Sequence, residues 1–572
     1  MQRSESARFT RPHALLYLSV VALAVAASAS SLGNGFALDD VALVADNPRV
    51  HSLDAWWRLF TLPYWPPRYG ASLYRPIVTL AYALQWAVHD GAPWVFHLTS
   101  VLLYAATSAL VLALFLRLLP PTAAFLGAAL FAVHPVHVEA VGNVVGQSEL
   151  IAALAMLAAC VIYLRARRSG ALTARTTCGI SLLFAVACLA KEHALLLPAL
   201  LVALESFAVE RGGDESSSEP GSGRDTADGR TKRRVRELVP VYLALAVVAV
   251  IYLVARTAVL DDLLGEQPLV PLHGWTRLWT LLVVAPHWLR LLVWPAHLSA
   301  EYSPQHIRIP EGPGADIVPG VAILVAAALS FIAWGRGKWA TSIEGLAGRL
   351  ALAWMAIALL PVSNLFSTLI IAERTLFLPS VGAMLGVGAA TSGVLRAVDA
   401  RKRSVPGRAL VAVAASLLIV AGTLRSSVRQ RVWRDDASLF PQMVQDAPLS
   451  YRAQFFYGQL LFGQGQRAEG ERRLLRAISL NPTPSDVSPL NYLATEYREA
   501  GLCPQALPLY ERALTNDPER PDVRYGLAWC LLGVGRIDEA RRLAEDGVRR
   551  GELRSLFVHL RARIDTVRAT GR

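Results

Sequence analysis

Four short segments carry residue types able to do acid–base and anion-binding chemistry. They are Asp39-Asp40, the run from His134 through His137 to Glu139, Lys191-Glu192-His193, and Glu373-Arg374. A carboxylate can accept the proton of a hydroxyl. Arg and Lys can hold a phosphate, Arg through a planar fork that matches two oxygens at once. Each segment also has a plain structural reading. The acid pair can be a solvated loop, the histidines can cap helix ends, Lys191 and Glu192 can meet headgroups, and Glu373 with Arg374 can be a local ion pair. What argues for more is that every cluster lies at the end of an apolar run, and that all four fall on one side of a membrane once the runs are ordered.

The composition calls for a membrane. Of 572 residues 54% are hydrophobic and 17% charged, against about 25% charged in an ordinary soluble domain. The charges are uneven: residues 426–572 hold 40 of the 100 Asp, Glu, Lys and Arg. The first three quarters therefore read as apolar helices and the last quarter as a soluble domain, which excludes a wholly soluble enzyme. The net charge of +12 does not point to nucleic acid, because the basic residues sit in short loops between apolar runs, as cytoplasmic loops require. No Gly-rich phosphate loop and no nucleotide-sugar acidic triplet is present. The five cysteines form no framework: Cys160, Cys178 and Cys188 lie in apolar runs, and Cys503 and Cys530 lie in the tail without metal-ligand spacing.

A helix crossing a bilayer needs about 20 apolar residues. Eleven candidates are read at roughly 14–32, 95–117, 120–134, 148–165, 176–190, 194–209, 237–257, 316–334, 347–362, 377–396 and 408–424. Ala27-Ser28-Ala29 resembles a cleavage site, but the many following spans favour a retained first helix. Basic clusters precede the first span (Arg3, Arg8, Arg11) and follow the fourth (Arg165, Arg167, Arg168, Arg175), the eighth (Arg336, Lys338) and the tenth (Arg396, Arg401, Lys402, Arg403, Arg408). A further one (Lys232, Arg233, Arg234, Arg236) ends a Gly/Ser/Asp-rich, disordered loop at 211–236. With eleven spans all five lie on one face, so the amino terminus is cytoplasmic and the tail is outside: periplasmic, or lumenal in a eukaryote. Residues 276–297 are apolar enough to span, but His287 and Arg290 would then sit mid-membrane, at a cost of at least about 2.5–3.5 kcal/mol for Arg. They are read as a helix in the outer interface, anchored by Trp279, Trp288 and Trp294.

The tail repeats itself. Small residues recur at Gly458, Ala494 and Ala528, at Gly465, Gly501 and Gly535, at Gly470, Ala506 and Ala540, and at Ala477, Ala513 and Gly547, in steps of 36 and then 34 residues. The first two units end in Asn481-Pro482 and Asp517-Pro518, where Pro stops a helix for want of an N–H. The pattern resembles the tetratricopeptide repeat (TPR), whose paired helices stack into a solenoid with a concave face for peptide segments. Three units are expected over 451–551, after a connector at 426–450 and before a capping helix or tail at 552–572.

Taken in order, these segments resemble the transmembrane and tetratricopeptide-repeat O-mannosyltransferases of the GT-C glycosyltransferase superfamily. The residues that carry the resemblance are Asp39-Asp40 with Asp46-Asn47-Pro48, Tyr74-Arg75-Pro76-Ile77, Phe96-His97-Leu98, and the run Phe131 to Ala140 with Gly146 and Glu149. Lys191-Glu192, Ala372-Glu373-Arg374 with Leu378-Pro379-Ser380, and Trp433-Arg434 complete it. The repeat array is shorter than in eukaryotic members, and the Arg- and Ala-rich composition has a bacterial look.

The resemblance implies an all-α fold, a polytopic GT-C-type helical domain over 1–425 followed by the TPR solenoid. It implies a sugar, mannose-like, carried on a polyprenyl phosphate and moved with inversion to an acceptor hydroxyl on protein Ser or Thr at the outer face. The first outer loop then supplies the base, Asp39 or Asp40, with Asp40 favoured as the residue further from the span. Arg374 is the first choice to hold the donor phosphate, Lys191 the second, and His137 a hydrogen-bond donor. Glu139 orients His137 or binds sugar hydroxyls, and His134, Glu192 and Arg75 join it in that group. Asp39, Asp40, Glu139 and His137 could ligate a divalent cation, but Arg and Lys can neutralise a monophosphate alone, so metal independence is expected. Partners are the lipid-linked donor, a protein or peptide acceptor at the repeats, and the membrane itself. Two rival readings are a non-catalytic repeat scaffold, which needs no carboxylate at 39 or 40, and a transporter or other lipid-linked glycan step, which would place charges through the membrane depth.

Overall fold

Long apolar runs bounded by Pro, Gly or basic residues have one way to satisfy their backbone in a membrane, and that is the helix. The computed structural model describes residues 11–66, 73–169, 172–215, 227–260, 274–302, 307–363, 371–400, 404–481, 486–551 and 553–570, and among them there is no strand. The chain forms two compact units, one drawn from Met1–Pro268, Leu272–Ala300 and Ile309–Leu439, the other chiefly Phe440–Arg572.

The first unit contains α1 (Arg11–Ser28), α2 (Pro76–His89), α3 (Pro93–Phe115), α4 (Pro121–Ala132), α5 (Val138–Gly142), α6 (Gln147–Arg168) and α7 (Ala174–Ala190). It continues with α8 (Leu197–Glu215), α9 (Ala227–Leu260), α10 (Trp275–Val293), α11 (Val318–Trp334), α12 (Ile343–Leu359), α13 (Phe377–Ala400) and α14 (Ser404–Gln430), and α15 (Asp436–Asp446) follows. Helix α6 is the centre. It packs on α3, α7 and α8, and 72% of its apolar window is buried, against 6% for α11 and for α14, which present apolar side chains outward. Burying Met156, Leu157, Tyr163 and Leu164 of α6 against Leu112, Phe115, Phe184 and Leu200 makes the core.

Among the described residues eight helices are long and apolar enough to cross a membrane, or nine if one bent pair counts as a single span. The eleven runs read from sequence also include α7, only 17 residues long, and α8. The bent pair is α4 with Pro135–Gly142, turned by 45°. Pro135 lacks the N–H that would continue α4, and 12 residues span only about 18 Å, short of a bilayer core of about 30 Å. The irregular loop expected at 211–236 is narrower, because α8 continues to Glu215 and α9 begins at Ala227. Its centre, like Arg3, Arg8, Arg401, Lys402, Arg403 and Pro482, lies outside the described residues.

The second unit is a run of antiparallel pairs: α16 (Tyr451–Gly463) with α17 (Arg467–Leu480), α18 (Ser488–Glu499) with α19 (Cys503–Asn516), and α20 (Pro521–Gly533) with α21 (Ile537–Arg550), followed by α22 (Arg554–Thr570). The periodic small residues do two jobs. Gly465, Gly501 and Gly535 close the turn within each pair at φ +77°, +76° and +83°, a conformation Gly adopts without steric cost. Gly458 and Gly470 let α16 and α17 touch: a Cβ on either would stand 3.2 or 3.1 Å from the other's carbonyl oxygen. One covalent link departs from the expectation that the cysteines form no framework. Cys503 and Cys530 form a disulfide between α19 and α20, with Cα atoms 5.0 Å apart. Their separation of 27 residues matches no local motif, and stacking of successive pairs is what brings them together.

Candidate active site

The acid pair leaves α1 through a tight turn at Ala29–Gly33. Just before it, Leu38 takes φ +55°, a left-handed conformation that costs a non-Gly residue of order 1–3 kcal/mol and persists only where surroundings hold it. The twist sends the two carboxylates different ways. Asp40 points inward and is 1% exposed. Its Oδ2 accepts the N–H of Val144 at 3.1 Å and its Oδ1 that of Val145 at 2.9 Å. Burial pushes its carboxyl up to about 8 against the pull of those two amides. Asp39 is half-buried and accepts no hydrogen bond among the described residues. The amides that hold Asp40 sit in the turn Val144–Gly146 that starts α6. That turn needs Gly146, because a Cβ there would stand 2.2 Å from the Ala140 carbonyl oxygen.

Three cation–carboxylate pairs gather from segments far apart in sequence. Arg75, just before α2, grips Glu192 with two bonds, Nη2 to Oε1 at 2.7 Å and Nε to Oε2 at 3.2 Å. Lys191 donates from Nζ to Glu149 Oε1, and His193 Nδ1 lies 3.6 Å from the other oxygen. Arg374 donates from Nη1 to Glu139 Oε1 at 2.6 Å and from its backbone N–H to Oε2 at 2.9 Å. The pairs form one cluster, since the charges of Asp39, Glu149 and Arg75 all act on the Arg374 guanidinium, and those of Arg75 and Arg374 act on Lys191. Burial alone would raise the Glu192 carboxyl, but Arg75, together with the charge of Lys191 and a backbone hydrogen bond, holds Glu192 well below the usual range. Burial lowers Lys191, partly offset by Glu149. Of the three cations Arg374 is the most open, its side chain 24% exposed against 9% for Arg75 and 11% for Lys191.

Seven of the nine residues singled out from sequence thus meet in one place: Asp39, Asp40, Arg75, Glu139, Lys191, Glu192 and Arg374. The two histidines do other work. His137 is 2% exposed, with Nδ1 2.9 Å from the Tyr104 hydroxyl and Nε2 2.8 Å from that of Ser380. Both ring nitrogens are engaged by these hydroxyls, among Phe131 and Phe377. His134 Nδ1 accepts the Val136 N–H at 3.3 Å and Nε2 donates to the Leu292 carbonyl at 3.0 Å, so it caps one turn and ties it to α10. Glu139 does not turn to His137, because Arg374 takes both its oxygens. Glu149 was part of the family pattern without a role of its own, and its place in the first turn of α6, on the side of Lys191, is the signal that marks it. No group of three or more His, Cys, Asp or Glu among the described residues is arranged to hold a metal ion. Chemically, the cluster offers one carboxylate that accepts no hydrogen bond among the described residues, close enough to Arg374 for the two charges to act on each other, a setting for proton removal next to developing anionic charge.

A family model described as Tetratricopeptide repeat matches residues 497–564. The chain is 25% identical over 484 residues to Protein O-mannosyl-transferase F38B6.6 of Caenorhabditis elegans, covering 82% of this chain and 63% of that protein. It is 24% identical over 559 residues to Protein O-mannosyl-transferase TMTC3 of Mus musculus, covering 92% and 59%. Over a shorter stretch of 289 residues it is 33% identical to Protein O-mannosyl-transferase Tmtc2 of Drosophila melanogaster, covering 48% and 29%. The chain therefore spans less than two thirds of the length of the curated relatives it matches. The crystal structure of the yeast Tom70 aligns over 78% of this chain and 92% of that one at 13% identity, and its TM-score of 0.22 is too low to bear on the fold. The sequence is homologous over most of its length to proteins named protein O-mannosyl-transferases, and its tail carries the tetratricopeptide repeat.

Proposed function

We propose that this chain is a membrane glycosyltransferase of GT-C type that moves a mannose-like sugar from a polyprenyl phosphate to a Ser or Thr hydroxyl of a protein. One observation carries the reading: Arg374, which shares its surroundings with Arg75 and Lys191, also lies under the charge of the Asp39 carboxylate. The acceptor oxygen attacks the anomeric carbon, and its proton passes to Asp39. The bond from that carbon to the phosphate oxygen breaks, and the electron pair leaves with the polyprenyl phosphate. Attack and departure on opposite faces invert the sugar. Arg374, the most open cation, meets the leaving phosphate first, while Arg75 and Lys191 supply positive charge behind it. Glu139, Glu149 and Glu192 hold the three cations in place before the donor arrives.

Asp39 takes the role of base because Asp40, though further from the span, has both oxygens committed to backbone amides. The cluster faces outside in this reading, with the repeats on the same side engaging the acceptor. The Cys503–Cys530 bond supports that side, because disulfides persist in oxidising compartments and are rare in the cytosol. The test is transfer of radiolabelled mannose from a polyprenyl-phosphate donor to a Ser/Thr peptide by the purified full chain. Transfer by wild type and none by Asp39→Asn is expected. Equal transfer by both would remove Asp39 as the base.

A further inference from the structure

The loop that carries Asp39 is laced to the end of α14, the start of α15 and the segment between them. The Ser30 hydroxyl donates to the Ser427 carbonyl at 2.7 Å, Asn34 Nδ2 to the Gln430 carbonyl at 2.9 Å, and the Gly35 N–H to the Arg434 carbonyl at 2.8 Å. The last contact is Leu38 N–H to Asp436 Oδ1, at 2.7 Å. It falls on the residue that holds the left-handed backbone at φ +55°, next to Asp39. Asp436 is free for this because its neighbour Asp435 caps α15, accepting the Ser438 N–H at 2.8 Å. On the other side of the loop, His97 Nε2 donates to the Gly35 carbonyl at 2.9 Å. A Cβ at residue 35 would stand 3.3 Å from the Arg434 carbonyl oxygen, so the two strands of chain are already close.

We infer that Asp436 is a positioning residue for the reaction: by accepting the Leu38 N–H it holds the backbone turn that aims Asp39 at the cation cluster while Asp40 faces inward. The catalytic assignment rests on the function proposed above, but the geometric claim does not. The reason Asp is needed is local. A left-handed Leu returns to ordinary backbone unless something fixes it, and a half-buried N–H that loses its acceptor adds a further penalty. Released, the turn lets Asp39 swing, and a displacement of about 1 Å at a reacting group can cost about 100-fold in rate.

The experiment uses the full chain on a Cys178→Ser background, which leaves Cys160 and Cys188 buried and Cys503 paired with Cys530. Asp39→Cys is labelled with an impermeant maleimide, with and without Asp436→Ala. A change of about fivefold or more in labelling rate is expected, largely reversed by Asp436→Asn, which keeps the accepting oxygen. An unchanged rate overturns the clamp whether or not the protein transfers sugar. In the transfer assay with a polyprenyl-phosphate mannose donor, Asp436→Ala should lose about tenfold or more in kcat with donor KM within about twofold. Asp436→Asn should recover most of that loss. Leu38→Gly, which accepts a left-handed φ freely, should make Asp436→Ala cost clearly less, a non-additivity that a general folding role would not produce. Wild-type transfer with an undiminished kcat in Asp436→Ala, or strictly additive losses, defeats the positioning role. Absence of transfer by wild type defeats the transferase reading and leaves the labelling rates to decide the clamp.

Discussion

The two ends of α6 both carry buried ion pairs, and they are built differently. At its carboxy-terminal end Arg167 bonds Glu205 at 2.6 and 2.9 Å and Glu237 at 2.9 Å, while the Tyr163 hydroxyl donates to Glu205 at 2.6 Å. That network ties α6 to α8 and α9 and saturates Glu205. A companion lock on α12 and α13 joins Glu344 to Ser392 at 2.6 Å and to Arg396. At the amino-terminal end of α6 the cations come from the turns at helix starts rather than from helix faces, their charges act on one another, and Asp39 stands beside them without a hydrogen bond among the described residues. The number of ion pairs therefore says little about function. In the function proposed above, the carboxylate left over next to Arg374 is what separates the reactive end from the structural one.

Four tests would break or sharpen that contrast. The largest effect is expected at the leftover carboxylate. Asp39→Asn should lower transfer by about 10²–10⁴-fold, whereas Glu205→Gln at the other end should leave transfer per folded molecule within about twofold. Mannose-transfer rates normalised to folded protein check this, and equal losses would erase the distinction.

Next comes Arg374. Its removal should cost about 100-fold in kcat, with partial recovery in Arg374→Lys, because a point charge lacks the two-pronged grip. It also strands Glu139, which is 2% exposed, a loss of about 3–5 kcal/mol in stability. Adding Glu139→Gln should restore the melting temperature but not the rate. A double variant that regains both would make the pair structural, like those at the far end.

Arg167→Ala should do the opposite. It leaves Glu205 without its cation, at a cost of about 3–5 kcal/mol, seen as earlier thermal unfolding in detergent. The surviving folded fraction should transfer sugar at close to the wild-type rate. A specific loss of kcat would mean that the far network reaches the chemistry.

The smallest expected effect is on pH. Burial raises Asp40 from 3.8 to about 8, so between those values the folded state holds a proton that the unfolded state has lost. Stability should accordingly fall as pH rises through that window. Asp40→Ala removes the group and should flatten the slope of melting temperature against pH. An unchanged slope would assign it to other groups.

Much of this molecule is settled by its residue order alone. Runs of apolar residues broken by Pro and basic loops determine the helices of the first unit, because a backbone in lipid has no other partner than itself. The recurrence of Gly465, Gly501 and Gly535 determines the paired helices of the tail, since a left-handed turn is a property of one residue and its neighbours. Even the four chemical segments stand out by type and by their place at helix ends. What residue order does not determine is who meets whom. Glu139 bonds Arg374 across 235 positions and Leu38 bonds Asp436 across 398, and no local period encodes such a pairing. The inward turn of Asp40 onto two backbone amides, the commitment of His137 to Tyr104 and Ser380, and the Cys503–Cys530 link all depend on how packed helices orient their loops. Tertiary structure decided them, because a side chain's direction at a loop is set by the partners that burial brings within reach.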